Sequence, residues 1–296
     1  MALYQRKLGH QADVVIRKEF TGGFLEFYGF TKYVLPIKKE IDHSTPTRKI
    51  YDKLPAIIKL SMRSLKRRVR SITFYLFVRK HSKNYDILHI HSVWKTVLLV
   101  PFKKKILEFH GDDMRKNPSF MPWWKRVVVR SFIRLYTVFA PIYVSTPDLL
   151  DEGFSNVVYI PNPVDPHHFA RLNEPEPKTA LYTHSWYMSK DHARELASCL
   201  GLDLTILDRT SGVWISHEDF PAYLSKFEYF IDRKEIPSLS KTGLEALVMG
   251  LKLVQGWDGK VLEGLDSQHY PDRVAENVME IYRKTLKMRL VWSDKR

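Results

Sequence analysis

Cysteine is nearly absent: Cys199 is the single one in 296 residues, so no internal disulfide can form. Such a chain fits a reducing compartment, or a fold that needs no covalent staple. Long apolar runs are missing too. The best candidate, 127–144, is interrupted by Arg130 and Arg134 and falls short of the ~20 apolar residues of a spanning helix. The first seven residues, Met1 to Lys7, hold no apolar core of a secretory signal. No internal repeat and no low-complexity tract is present. Carboxylates are scarce in one half only. Residues 1–150 carry 29 Lys and Arg against 11 Asp and Glu, whereas residues 151–296 carry 18 against 22. The overall charge of +14 therefore belongs to the first half, which suits an anionic partner.

What is present is a core-forming chain of mixed α/β character, with 44% apolar and 27% charged residues. Short apolar stretches at 12–16, 86–91, 105–110 and 141–145 predict strands, with helical segments at roughly 53–80 and 122–139 between them. Prolines 161, 163, 166, 175 and 177 then mark a boundary that neither a helix nor a central strand accommodates. Beyond it the alternation resumes: strands at 180–183, 202–207, 227–231 and 251–254, helices at 190–200, 241–250 and from Asp272 to about 288. The pattern predicts two α/β domains with parallel sheets and a cleft between them, at the carboxyl ends of the strands. The expected divisions are 1–165, 166–271 and a final helix, 272–296, packing back toward the first domain.

The most informative segment runs from Ser238 to Val254. Ser240 is placed to cap a helix starting at Lys241, and Gly250 to end it. A helix N-terminus flanked by Ser240, Lys241 and Thr242 can receive a diphosphate. Glu245 follows Lys241 by one turn and can accept hydrogen bonds from both hydroxyls of a ribose. The plainer alternative is a capped amphipathic helix whose Glu245 is solvated or pairs with Lys241.

Read in order, Ile87-Leu-His-Ile-His-Ser92, Phe109-His-Gly-Asp112, Val144-Ser-Thr-Pro-Asp148, Ile160-Pro-Asn-Pro-Val-Asp165 with Phe169, Lys190 and Leu244-Glu-Ala-Leu247 with Gly250 form a series. This series resembles glycosyltransferase family 4 over about residues 8–285. The resemblance implies the GT-B fold, two Rossmann-like domains facing a central cleft, and retaining transfer from a nucleotide-diphosphate sugar. It assigns Lys190 to the donor diphosphate, Glu245 to the ribose and His110 to the donor sugar. It also implies attack of the acceptor from the leaving-group face, with the departing phosphate taking the proton and no covalent enzyme nucleophile. Fixed cationic groups make a metal or other cofactor unnecessary in this scheme. Three departures stand out. The family's first strand and Gly-rich loop have no counterpart before Leu3–His10, and Thr21-Gly-Gly-Phe24 follows the second strand. Pro237 stands where a second glutamate is usual, with Glu235 nearby to contact the sugar ring. No arginine precedes Lys190 between Thr183 and Ser189.

Other side chains are weighed against this reading. His89 and His91 share a strand face and could ligate a metal, but no third ligand stands at a recognisable spacing, so they are expected to line core or cleft. Asp112 is expected to face the cleft toward donor or acceptor; with Asp113 it is a poor metal pair, because adjacent residues point apart. His167 and His168 are expected at the surface of the hinge, and Cys199 as a small packing residue. Two basic, aromatic-rich segments suit an anionic bilayer: one with Arg63, Lys66, Arg67 and Arg70, the other with Trp123, Trp124, Lys125 and Arg126. The expectation is a cytoplasmic hexosyltransferase, peripheral on the inner face of the cell membrane, acting on a lipid-linked or glycan acceptor. The alternative is a non-catalytic protein of the same fold that binds nucleotide or a polyanion. Nucleic acid is the weaker partner, since no helix-turn-helix, zinc or RNA-binding motif is present.

Overall fold

The computed structural model describes residues 82–91, 104–111, 114–115, 122–184, 189–212, 215–233 and 235–287, with short stretches at 15–16, 33–34 and between 72 and 80. The expected helix at 53–80 lies largely outside these residues, as do Asp112, Arg63, Lys66, Arg67, Arg70 and Thr21–Phe24. The chain divides into two compact units, Met1–Leu107 with Met279–Arg296, and Glu108–Val278.

In the first unit β1 (Val15–Ile16) pairs in parallel with β2 (Tyr33–Val34). The strand β3 (Leu88–His91) starts with Leu88 N–H donating to the Lys104 carbonyl at 3.0 Å. His89 and His91 stack with ring centroids 4.4 Å apart, as two residues on one strand face must. His89 Nδ1 lies 2.8 Å from the hydroxyl of Tyr282.

In the second unit two parallel sheets carry the architecture. The first is built from the end of β4 (Lys105–Phe109), β5 (Ile142–Val144) and β6 (Val157–Tyr159), all parallel. Its crossover helix is α1 (Trp123–Phe139). The helix forms without any acid and without a side-chain cap, because Val129, Ile133 and Thr137, four apart, are buried along one stripe.

The second sheet contains β7 (Glu176–His184), β8 (Asp203–Asp208), β9 (Phe227–Ile231), β10 (Lys252–Val254) and β11 (Val261–Leu262), in the order β11-β10-β9-β7-β8. Only β11 is antiparallel. The crossovers hold α2 (Lys190–Cys199), α3 (Phe220–Leu224) and α4 (Lys241–Val248). Alternate strand residues separate onto the two faces, as a period of two requires. Leu181, Phe230 and Leu253 pack with Leu244 and Leu247 of α4. Ala180, Tyr182, Ile231 and Val254 pack with Ala193 and Ala197 of α2. The last helix, α5 (Pro271–Lys287), passes from the second unit into the first.

The strand order fixes where a ligand can enter. The chain leaves β7 to form β8 on one side, then returns to form β9 on the other, so the connections diverge between β7 and β9. That divergence opens a crevice at the carboxyl ends of the two strands.

Candidate active site

The helix starts facing this crevice are α2, which follows β7, and α4, which follows β9. Ser189 caps α2, its Oγ accepting from His192 N, and Lys190 is the first helical residue. Lys190 Nζ donates to Asp208 Oδ2 at 2.5 Å, across from the end of β7 to the end of β8. Asp208 also accepts from the N–H and hydroxyl of Thr210. The hydrogen bonds from Lys190 and Thr210 hold its carboxyl far below the usual carboxylate range, so it stays ionised and paired with the lysine. Glu235 is exposed but tied to the same corner, Oε1 accepting from Ser189 N at 2.9 Å.

Helix α4 begins as the sequence predicts. Ser240 Oγ accepts from Gly243 N at 2.9 Å, while Ser240 N donates to the buried Asp232 at the end of β9. The cap occupies the N–H of Gly243, and the preceding N–H groups of Lys241 and Thr242 are orphans of the helical pattern. Two glycines permit this approach. A Cβ on Gly243 would stand 2.7 Å from Asp232 Oδ2, and one on Gly256 would stand 2.3 Å from the Asp232 carbonyl oxygen. Gly256 also offers its carbonyl to His192 Nε2 at 2.6 Å, joining α2 to the same point.

Glu245 is 5% exposed, which removes the solvated alternative. Lys241 stands 3.9 Å away, an incomplete ion pair. Burial pushes the carboxyl up to about 7, although the positive fields of Lys241 and Arg209 oppose the shift. The folded value lies above the ordinary one, so the native state holds the proton longer than the unfolded chain. Stability therefore falls as pH rises from about 4.5 to about 7, by ~3 kcal/mol for this group. Chemical denaturation at pH 5 and pH 8 is expected to show this loss in the wild type. Glu245→Gln, which carries no titrating proton, is expected to lose much less.

On the first sheet His110 follows β4 and is 42% exposed at its side chain, with Nδ1 2.7 Å from Ser145 Oγ and Nε2 3.6 Å from Glu108. Ser145 follows β5, and Asn162 Nδ2 donates to its carbonyl. A clasp joins this sheet to the loop before α4. Asp148 accepts from Arg115 Nε at 2.9 Å and from Ser238 Oγ at 2.8 Å. Burial raises the Asp148 carboxyl, but the bonds from Arg115 and Ser238 outweigh it and hold the group below its ordinary value. Its contribution to stability is present above the unfolded pKa and lost as pH falls through the folded one. Asp148→Asn is expected to cost ~2 kcal/mol by urea titration at pH 7, with a smaller loss at pH 3.

The structure thus brings Lys190 and Glu235 together at one helix start and Ser240, Lys241, Thr242 and Glu245 at another, with His110 at the end of the neighbouring sheet. Sequence reasoning missed Asp208, Asp232, Arg209, Arg115 and the Asp148–Ser238 bond. The available signal was position, since Asp208 and Asp232 end parallel strands. Two expectations need correction. Cys199 is exposed rather than packed, because the buried stripe of α2 is Ala193 and Ala197, and Cys199 falls beyond it. His168 is partly buried, its ring 4.8 Å from those of both Phe169 and His217. A cavity of about 540 Å³ lined by Ser145, Asn162, Leu239, Leu244 and His269 adjoins the site at Ser145 and at the start of α4, although Lys190, Glu245 and His110 do not line it.

Two Rossmann-like parallel sheets, the second with helix starts on either side of its switch point, define an α/β architecture whose crevice lies at the carboxyl ends of the strands. Comparison with solved structures gives that architecture its type. The chain is similar to a glycosyltransferase from Rickettsia africae, with a TM-score of 0.53 at 12% identity, over 97% of this chain and 93% of that one. It also matches the sucrose-phosphate synthase of Thermosynechococcus elongatus at a TM-score of 0.41 and 14% identity, over 81% and 71% of the two chains. The fold is α/β with parallel sheets, of the GT-B glycosyltransferase type. No protein-family model and no curated protein matches the sequence.

Proposed function

We propose that this protein is a retaining glycosyltransferase of family 4 type. It would move a hexose from a nucleotide-diphosphate sugar to a lipid-linked or glycan acceptor at the cytoplasmic face of a membrane. The observation that supports this reading is that α2, opened by Lys190, and α4, with the buried Glu245 one turn inside, start after the neighbouring parallel strands β7 and β9. The lysine and the orphan N–H groups of Lys241 and Thr242 receive the diphosphate, and Glu245 accepts from the ribose hydroxyls. Glu235 and His110 orient the sugar ring.

In the transfer step the acceptor oxygen bonds to the anomeric carbon as the bond from that carbon to the phosphate oxygen breaks. The acceptor proton passes to the departing phosphate on the same face. Negative charge growing on the diphosphate is met by Lys190 and the helix N-terminus, groups fixed before reaction. The step needs no metal ion, so turnover is expected to survive a chelator.

Nucleotide release, followed by chromatography with lipid extracts or glycans as acceptors, tests this function. The expected result is release that depends on acceptor, with the product anomer matching the donor by NMR. A protein that binds nucleotide but releases none with any acceptor class would favour the non-catalytic alternative.

A further inference from the structure

The helix α1 is apolar on two sides. Its inner stripe, Val129, Ile133 and Thr137, is buried. On the opposite side Trp123, Trp124, Val127 and Val128 begin a second apolar face, which Leu135, Val138 and Phe139 continue to the end of the helix. Each of these is between 51% and 71% exposed. At about 100° per residue, the seven occupy an arc of roughly 160°, opposite the buried stripe. Arg134 falls within the arc close to one margin and Ser131 near its middle, while Lys125 lies just beyond the other margin, all three exposed. A water-facing helix would carry charges there, and exposed apolar surface of this extent marks a binding face.

We infer that this outer face of α1 inserts, lying flat, into the interfacial layer of an anionic lipid bilayer. Charge complementarity selects the occupant. The helix carries Lys125, Arg126, Arg130 and Arg134 and no Asp or Glu. Arg130 is paired with Glu152, so a second copy docking on the same face would set the exposed Lys125 and Arg134 of both copies against each other, with no carboxylate on either helix to receive them. An anionic bilayer accepts the apolar arc in its acyl boundary, while Lys125 and Arg134 extend from the margins to the headgroups. The two tryptophans fall at one end of the helix, where their amphipathic rings suit the headgroup level. No described helix is long and apolar enough to cross a membrane, so α1 would lie on the surface. The inference deepens the proposed function by giving the membrane contact a surface, but the lipid binding stands without the transfer activity.

The test is co-sedimentation of the full chain with vesicles of phosphatidylcholine alone and of phosphatidylcholine with phosphatidylglycerol. The wild type is expected to bind the anionic vesicles at least 10-fold more tightly than the neutral ones. Leu135→Glu with Val138→Glu, at two exposed positions, is expected to weaken that binding at least 10-fold while circular dichroism and donor binding by calorimetry stay unchanged. Trp123 and Trp124, changed to Phe one at a time, are expected to account for quenching by brominated lipid. Vesicle binding indifferent to the double substitution would overturn the inference. So would a dimer, seen by analytical ultracentrifugation, that the double substitution dissolves in a protein without affinity for anionic vesicles. Loss of donor binding with intact vesicle binding would count against the proposed function instead.

Discussion

Replacing Glu245 by alanine is expected to weaken binding of the nucleotide-sugar donor by about 100-fold. The carboxylate is 5% exposed and held by a single incomplete ion pair with Lys241, so its oxygens are available to a ligand that can reach them. Two ribose hydroxyls donating to one charged acceptor contribute ~1.5–3 kcal/mol each, and a factor of 100 is ~2.7 kcal/mol. The same geometry predicts a proton linkage. With its carboxyl near 7, Glu245 must lose a proton to accept both hydroxyls, so donor affinity rises as pH increases through about 7. Calorimetry in buffers of different ionisation enthalpy would register the proton released on binding. Glu245→Gln should bind weakly at every pH and release none. Equal donor affinity for wild type and Glu245→Ala would remove the ribose from this position.

The second large effect is structural. Gly256→Ala is expected to destabilise the second unit by ~3 kcal/mol or more and to abolish donor binding with it. The added carbon would meet the Asp232 carbonyl oxygen at 2.3 Å and the Arg233 carbonyl carbon and oxygen at 2.5 and 2.6 Å. These are backbone atoms of the segment that positions Ser240, so they cannot rotate aside, and overpacking of this kind commonly costs ~1–3 kcal/mol even where side chains yield. Gly243→Ala meets the Asp232 carboxylate and a Leu253 methyl instead, which can shift by a few tenths of an ångström. Its cost is therefore expected to be the smaller of the two. Urea denaturation of the three proteins would rank them; a Gly256→Ala protein as stable as wild type would refute the close approach.

Much of this site could be read from sequence because its parts are local. Ser240, three residues before Gly243, is a cap signal that no tertiary contact is needed to interpret, and α4 starts at Lys241 as that signal requires. The strand at 227–231 is equally legible, since Phe227, Tyr229, Phe230 and Ile231 form a short aromatic and β-branched run. What pairs with what across the sheet was not legible. Lys190 and Asp208 are neighbours because β8 lies beside β7, a fact of strand order rather than of spacing. Asp148 and Ser238 are 90 residues apart and meet only once both sheets are folded. The helix at 122–139 is legible in the sequence, but its outer face reads there as basic with aromatics among the charges. Apolar residues on nearly every side blur a 3.6-residue period, and only burial separates Val129 from Val127 and Val128. The strand at 261–262 carried no signal, being two residues long and joined by a short antiparallel turn.

The central claim, that the crevice between β7 and β9 holds a nucleotide-diphosphate sugar, is tested most directly by calorimetric titration of the folded protein. The panel is UDP-, GDP-, ADP- and dTDP-sugars, with Lys190→Ala and Glu245→Ala beside the wild type. The account predicts that one base binds, that Lys190→Ala weakens it ~30-fold through the diphosphate, and that Glu245→Ala weakens it further through the ribose. No affinity for any of the four would contradict it, as would a donor whose binding both substitutions leave unchanged.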